Sequence, residues 1–412
     1  MSLSDAPCIL TSMAYEPSDA ILEKYAKVLV DFALGGETGI KARDVVFLQV
    51  PECAKPLLIH LRRAVLKSGG FPIIHYLPDG ITRDFFEHAS DEQLAFFPDK
   101  YLRGRVDQMD HLVGIIAEID KHELEGIDPQ KIMTMTASMK PYKEWRDQKE
   151  NAGKLTWTLG LYGTSAMAKK VGMSLKGYWE QIILACYLDE PDPISTWKNV
   201  AAEVHRLKNT LNGLTIESLH IEAEKTDLTI GIGKGRKWMG GTGRNIPSFE
   251  VFISPDWRKT HGKISFNEPL YMYGNLIKDV TLEFDHGRVV AASAKRGEKV
   301  LLEMLKVENA DKIGEFSLTD KRLSRITKFM GETLFDENVG GKWGNTHLAL
   351  GSVYKDSYPG DPSQVTEAGW KELGYNESVI HTDIVATTHR TVTALLDSGK
   401  KHVIYKDGSF II

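Results

Sequence analysis

Carboxylates and histidines are concentrated near the end of the chain in a pattern that suits a divalent metal ion. Glu337, His347, His381 and Asp383 fall within 47 residues. The last two belong to the apolar segment 379–385, which the sequence predicts to be a β-strand, so residues i and i+2 project from one face. An imidazole and a carboxylate held together on a strand are suited to a metal that makes a nucleophile from water at neutral pH.

Two further glutamates extend this candidate ligand set. Taken singly, each residue has an ordinary interpretation: Glu250 as an edge-strand residue facing water, Glu315 as a surface residue and His347 as a satisfied core histidine. Glu250, however, lies in an almost entirely apolar segment, where a lone buried carboxylate is costly. Two first-row divalent cations sharing a site need about four carboxylates and two imidazoles. The predicted set is Glu250, Glu315, Glu337, His347, His381 and Asp383.

The elements that must position these residues change character along the chain. A length of 412 residues favours two domains over one. Strands and helices alternate in the first half, which is typical of βαβ units and a mainly parallel sheet. From about residue 214 the pattern changes to hairpins with turn-forming residues. We therefore predict an α/β fold, with an α/β N-terminal domain and helical connection over 1–205 and a C-terminal α+β metal domain over 206–412.

The individual predictions follow from hydrophobic periodicity. Predicted strands of the first half are 44–50, 71–77, 111–119 and 155–162. Predicted helices are 21–34, 55–68, two segments within 82–97, 128–148, 296–307 and 320–330, and the segment 174–211 is predicted to be a helix-rich connection between the halves. Predicted hairpins are 219–224 with 227–232, 280–284 with 288–293, and 402–405 with 409–412.

Composition narrows the class of protein. Hydrophobic residues make up 42% and charged residues 26% of the chain, as in globular proteins. The net charge of -5 argues against nucleic acid as a partner. The sequence lacks a run of about 18 apolar residues, which argues against a membrane partner. Cys8, Cys53 and Cys186 form no CxxC pair and the N-terminus has no signal-peptide pattern, so we expect a cytoplasmic protein.

One glycine-rich segment resembles a phosphate loop only superficially. Residues 231–241 (GIGKGRKWMGG) lack the GxxxxGK[ST] spacing and follow a hairpin strand rather than opening a helix. The first half also has no GxGxxG after a strand, which argues against a dinucleotide site. The segment is therefore interpreted as a glycine-rich loop.

Several motifs in order along the chain resemble those of the aminopeptidase T family, thermophilic-type metalloaminopeptidases that include aminopeptidase S. The resemblance covers nearly the whole chain. Its most specific marks are Thr226-Asp-Leu228, Asn245-x-Pro247-x-x-Glu250-Val-Phe252, Ile313-Gly-Glu315, Leu334-Phe-Asp-Glu-Asn338, His347-x-Ala-Leu-Gly351 with Tyr354, and His381-x-Asp383.

This resemblance implies an α/β N-terminal domain, a C-terminal metal domain and a homodimer with an enclosed site. The family's two-metal ligands fall on the six residues already named, with Glu315 as the bridging candidate. Tyr354, which alone would be a packing residue, matches a tyrosine beside the metals. The chain departs from the family in longer segments at 339–346 and 358–375, which bear on substrate preference and on access to the site.

The resulting hypothesis is a two-metal aminopeptidase acting on peptides with a free N-terminus. Zinc, cobalt, manganese and magnesium all accept this ligand set. Glu315 or Glu337 would carry a proton from water to the leaving amine, and Tyr354 would donate a hydrogen bond to the oxyanion. Two alternatives are a two-metal hydrolase of another amide, ester or phosphate, and a non-catalytic metal-bearing binding protein.

Overall fold

The computed structural model of the protein describes residues 15–120, 122–272 and 275–412. The predictions that rest on Cys8 and on the extreme N-terminus lie outside these ranges. The elements of the first half are α1 (Asp19–Lys27), continued by a π-helix (Val28–Ala33) and α2 (Leu34–Glu37), β1 (Val45–Pro51), α3 (Lys55–Lys67), β2 (Phe71–Leu77), α4 (Ile81–His88), α5 (Asp91–Ala95), α6 (Asp99–Gln108), β3 (His111–Ile116), α7 (Pro129–Ser138), α8 (Lys140–Asn151), β4 (Thr156–Leu161), α9 (Ser165–Lys170), α10 (Leu175–Ala185) and α11 (Pro193–Asn212).

The four strands of the first half form one parallel sheet in the order β2-β1-β3-β4. This confirms the βαβ prediction, because parallel neighbours need a crossover connection. The predicted helix over 128–148 is instead two helices that meet at Met139. Pro141 lies in the first turn of the second helix and has no N–H to continue the hydrogen-bond ladder of the first. The helix α6 was not predicted.

The second half is built from hairpins around two antiparallel sheets. Its elements are β5 (Ile216–Ala223), β6 (Thr226–Gly231), β7 (Glu250–Ile253), β8 (Thr260–Ser265), β9 (Leu270–Met272), β10 (Asn275–Asp285), β11 (Arg288–Arg296), α12 (Glu298–Met304), β12 (Ile313–Thr319), α13 (Thr333–Asp336), β13 (Asn345–Gly351), α14 (Glu367–Leu373), β14 (His381–Ala386), β15 (Arg390–Leu396), β16 (Lys401–Lys406) and β17 (Ser409–Phe410).

The larger sheet contains the three predicted hairpins and runs β11-β10-β8-β6-β5-β15-β16-β17, with β9 paired to β10. Two of its turns have consecutive residues in the left-handed region, His286-Gly287 at φ 46° and 79° and Asp407-Gly408 at φ 51° and 79°. Such turns match the twist of the strands that they join. The prediction of these two turns, which was made from residues that tolerate positive φ, is therefore confirmed.

The smaller sheet, β14-β13-β12-β7, has two chemically different faces. Residues opposite each other in an antiparallel pair share a face, and each strand alternates between faces. One face belongs to the core and is apolar except for Thr346 and Thr382: Val251, Ile253, Phe316, Leu318, Leu348, Leu350, Ile384 and Ala386. The other face, the polar face, also holds Phe252, Ala349 and Val385 but carries the predicted ligands on all four strands: Glu250, Glu315, His347, His381 and Asp383.

The predicted helix over 320–330 is wrong, since this segment forms turns and extended chain. Side-chain carboxylates accept hydrogen bonds from backbone N–H groups that a helix would pair with its own carbonyl oxygens. The Asp320 carboxylate accepts hydrogen bonds from the backbone N–H groups of Arg322 and Phe410, both at 2.9 Å. The backbone N–H of Met330 donates to Asp336 Oδ1 at 2.6 Å. A periodic apolar pattern does not reveal these side-chain acceptors.

The helix α11 joins the two halves and runs through the predicted domain boundary between residues 205 and 206. Its Trp197 stacks on Phe249 from the second half at 5.4 Å between ring centroids. The division into 1–205 and 206–412 thus stays a prediction. Among helices of the described ranges, none combines the length and apolar character needed to cross a lipid bilayer.

Candidate metal centre

Glu250, Glu315, His347 and Asp383 converge at the middle of the polar face. His347 Nε2 lies 3.3 Å from Glu250 Oε2, 3.2 Å from Glu315 Oε1 and 3.9 Å from Asp383 Oδ1. The ligand atoms of Glu250, Glu315 and His347 all lie within 4.8 Å of one another. His347 is 1% and Glu315 3% exposed. The first group of predicted residues is therefore assembled and removed from solvent.

The second histidine lies beside the same carboxylates. His381 Nε2 is 3.5 Å from Asp383 Oδ1 and 3.9 Å from Glu315 Oε2. Its other ring nitrogen, Nδ1, lies 2.8 Å from the backbone carbonyl oxygen of Ser352. An Nδ1–H donated to that oxygen leaves Nε2 free to bind a cation, which is the usual arrangement of metal-binding histidines. The two imidazoles thus contact opposite oxygens of Glu315.

Glu337 and Tyr354 come from connections outside the sheet. Glu337 is the C-cap of α13, and its Oε1 accepts a hydrogen bond from Asn245 Nδ2 at 3.3 Å. The Tyr354 ring lies 5.1 Å from the His381 ring and 5.5 Å from that of Phe252. Glu337 is close enough for the other carboxylates to change its pKa, whereas Tyr354 is 40% exposed at the edge of the cluster.

The protonation equilibria of the cluster are strongly displaced. Burial, together with Glu250 and Asp383, raises the pKa of Glu315 to about 7. Burial and the same two carboxylates raise the pKa of Glu337 well above its ordinary value. Four acidic groups held so close together cannot all be ionised cheaply without compensating positive charge.

The histidines respond in the opposite sense. Burial lowers the pKa of His347, but its hydrogen bonds with Glu250 and Glu315 outweigh this and raise the pKa well above normal. Burial also opposes protonation of His381, but Asp383 raises its pKa to about 9. Without a bound cation, protons on the two imidazoles therefore offset part of the negative charge of the carboxylates. An excess of buried anionic oxygen that recruits protons in this way fits divalent cations.

Two serines that the sequence interpretation missed hold Glu250 in place. Ser317 Oγ donates to its Oε2 at 3.3 Å, and Ser248 Oγ donates to its Oε1 at 3.4 Å. A strand prediction over 313–319, which the sequence analysis did not make, would have found Ser317, because it lies two residues after Glu315 on the same face of β12. Ser248 gives no such signal, because its contact depends on the path of the loop before β7.

Gly314 offers a test of whether close backbone packing beside Glu315 is needed for metal binding. It occupies an irregularity in β12 next to Glu315, and a methyl group there would overlap the carbonyl oxygen of Ser352 that orients His381. Gly314→Ala should lower the free energy of unfolding by about 1–3 kcal/mol and weaken metal binding. Urea unfolding and competition with a metal-binding dye measure the two effects.

The matched control for this substitution is Gly104, in the middle of α6. A methyl group on Gly104 would meet no atom within 4 Å. Gly104→Ala should therefore raise the free energy of unfolding by about 0.5–1 kcal/mol, because it restricts the unfolded chain. Equal metal affinity in the two variants would contradict the proposed coupling of Gly314 to the site.

Fold and site together define a metalloprotein in which a parallel α/β half precedes an antiparallel half with a buried carboxylate–histidine cluster. A family model described as thermophilic metalloprotease (M29) matches residues 18–410. The chain belongs to this family, and it is a metal-dependent peptidase. This confirms the family, enzyme class and need for a divalent metal that the sequence predicted.

Individual relatives agree with this assignment. The chain is 27% identical to aminopeptidase PepS of Streptococcus thermophilus over 416 residues, covering 95% of this chain and 98% of the relative. It is 27% identical to aminopeptidase AmpS of Bacillus subtilis (strain 168), covering 94% and 98%. Aminopeptidase T of Thermus thermophilus is 28% identical, with 71% of this chain and 74% of the relative covered.

The fold is similar to that of a solved structure titled wild-type AmpT from Thermus thermophilus. The TM-score is 0.81 at 23% sequence identity, with 95% of this chain and 99% of that chain covered. The α/β class predicted from alternating strands and helices is therefore confirmed.

Proposed function

We propose that this metal-dependent aminopeptidase holds two divalent cations and uses them to release the N-terminal residue of peptides. The six proposed ligands are Glu250, Glu315, Glu337, His347, His381 and Asp383. The observation that carries the proposal is the position of Glu315, whose Oε1 faces His347 at 3.2 Å and whose Oε2 faces His381 at 3.9 Å. A carboxylate with one oxygen toward each histidine is suited to bridging two cations.

The ligand atoms of this site suit several divalent metals. Carboxylate oxygen and imidazole nitrogen accept zinc, cobalt, manganese and magnesium. When bound, such cations lower the pKa of a water molecule towards neutrality and polarise the scissile carbonyl. The protein's own groups then have to move one proton and orient the substrate.

Proton transfer is assigned to Glu315 or Glu337. Both carboxyls are buried members of the cluster, and burial raises the pKa of each above its ordinary value. The carboxylate takes a proton from water as the oxygen attacks the carbonyl carbon. The same proton passes to the amide nitrogen as the C–N bond breaks, so a free amino acid and a shortened peptide result.

Tyr354 is the proposed hydrogen-bond donor to the oxygen of the tetrahedral intermediate. Burial and the charges of Glu315 and Asp383 raise its pKa well above the ordinary tyrosine value. The hydroxyl therefore keeps its proton at neutral pH and can donate it in a hydrogen bond. Its ring lies at the edge of the cluster, 5.1 Å from the His381 ring between centroids and partly exposed.

The exopeptidase proposal is tested with matched peptides that differ only at the N-terminus. Peptides with a free α-amine should be hydrolysed one residue at a time from that end. Their acetylated counterparts should be cleaved at least about 100-fold more slowly, because a buried site that pairs with an amine rejects a substrate lacking it. Mass spectrometry of the products measures both rates, and equal cleavage would instead favour a general amidase.

Three broader features also belong to the proposal. We infer a homodimer, as the family resemblance implied, and sedimentation at several protein concentrations tests it. A cytoplasmic location is supported by the free thiols of Cys53 and Cys186. The absence of a nucleic-acid partner is supported by the net charge of -5. The absence of a membrane partner is supported by the lack of an apolar run of about 18 residues in the sequence.

A further inference from the structure

Arg244 lies between carboxylates from the two halves of the chain. Its Nη2 is 2.8 Å from Glu150 Oε1 in α8, and its Nη1 is 2.6 Å from Asp356 Oδ2 in the second half. The three side chains are 26%, 23% and 26% exposed, respectively. The guanidinium therefore links α8 to the segment that immediately follows Tyr354.

One end of this link is anchored to the parallel sheet. The backbone N–H of Leu159 in β4 donates to the carbonyl oxygen of Arg244 at 2.7 Å, and Ile246 N–H donates back to Leu159 at 3.0 Å. Trp157 Nε1 donates to Glu150 Oε1 at 2.9 Å. The main chain of Arg244 and the carboxylate of Glu150 are thus both held by β4, so the guanidinium projects from a rigid base.

The other end is the short helical turn 355–357, directly after Tyr354. Tyr354 N–H donates to Ser254 Oγ at 2.9 Å, and Ser254 N–H donates to Ser357 Oγ at 3.1 Å. These bonds fix the backbone next to β7. Asp356 extends from the same turn to Arg244, which ties that turn to the parallel sheet as well.

The Tyr354 ring itself is incompletely enclosed. It packs against Phe252 and His381 but remains 40% exposed, so its position depends on the backbone that carries it. A shift of about 1 Å in a catalytic group can reduce a rate about 100-fold. An anchor two residues away can therefore matter for catalysis even where it matters little for folding.

We propose that Arg244 is a positioning residue, which holds Asp356 against the N-terminal half and so keeps the Tyr354 hydroxyl aligned with the reacting carbonyl. The inference rests on the role proposed above for Tyr354. Partly exposed ion pairs contribute little to the free energy of unfolding. The predicted consequence is a loss of turnover without a matching loss of stability or metal.

The test is a double-mutant cycle on kcat. Arg244→Gln should lower kcat by about 10- to 100-fold, with KM, metal content and Tm close to those of the unaltered protein. In a Tyr354→Phe background the same substitution should change kcat by less than about twofold, because the hydroxyl through which it acts is gone. Equal losses in both backgrounds, or loss of bound metal, would overturn the proposal.

Two further variants secure the result. Asp356→Asn removes the same ion pair from the other side and should reproduce the loss of kcat, including when Arg244→Gln fails to fold. Arg325 is a matched arginine, 30% exposed and paired with Asp189 at 2.5 Å and Glu190 at 3.3 Å. Arg325→Gln should leave kcat near that of the unaltered protein, and a similar loss there would also count against the proposal.

Hydrogen exchange separates this inference from the proposed function. An unaltered protein that cleaves no peptide would refute the function but not the mechanical link. Exchange at the backbone N–H groups of Tyr354 and Ser357 should then be faster in Arg244→Gln and unchanged in Arg325→Gln. Unchanged exchange at both positions in Arg244→Gln would refute the link itself.

Discussion

Replacing Glu315 with glutamine should reduce peptide hydrolysis by at least about 1,000-fold. Glutamine keeps the shape of the side chain but replaces one anionic oxygen with an amide nitrogen that cannot bind a cation or accept a proton. The loss should appear in kcat/KM for a peptide with a free N-terminus. Metal analysis should show fewer ions per chain, because Glu315 faces both histidines.

A buried acidic residue next to the site supplies the control for this experiment. Asp336 is 7% exposed, and burial raises its pKa well above the ordinary value. Its Oδ1 accepts a hydrogen bond from the Met330 N–H, which an amide oxygen can also accept. Asp336→Asn should therefore retain activity near that of the unaltered protein. Glu315→Gln with more than a tenth of normal activity would contradict the assigned role.

Removal of the metals should have an effect of comparable size. Exhaustive chelation is expected to abolish hydrolysis, and added divalent cations should restore it. Cations at about 1,000 times their Kd stabilise a folded protein by about 4 kcal/mol. Chelation should thus lower Tm by several degrees, because the buried carboxylates lose the charge that compensates them. Calorimetry and elemental analysis measure the two changes.

A variant that already lacks one proposed ligand shows whether the effect of chelation comes from this site. In His381→Ala the same treatment should lower Tm less, because fewer cations are bound at the start. Two ions per chain in the unaltered protein are expected. One ion per chain at saturation would contradict the bridging role of Glu315, and full activity in metal-free protein would refute the mechanism.

The local sequence pattern predicted the structure correctly where a single strand or turn is concerned. The alternation of His381 and Asp383 predicted a strand with both side chains on one face, and β14 has that arrangement. The turns at His286-Gly287 and Asp407-Gly408 were predicted from residues that accept positive φ. The pattern failed over 320–330. There the backbone N–H groups of Arg322 and Met330 donate to side-chain carboxylates instead of to helical carbonyl oxygens.

The sequence by itself determined the chemistry of this protein: which side chains offer anionic oxygen or imidazole nitrogen, and which of them share a strand face. Only the tertiary structure decided how they meet. The register of β12, β13 and β14 aligns Glu315 with Ala349 and Ala349 with Asp383, which brings the two carboxylates onto one face. Arg244 likewise gained its partners through folding. Strand neighbours and register depend on burial across the whole chain, and neighbouring residues alone do not encode them.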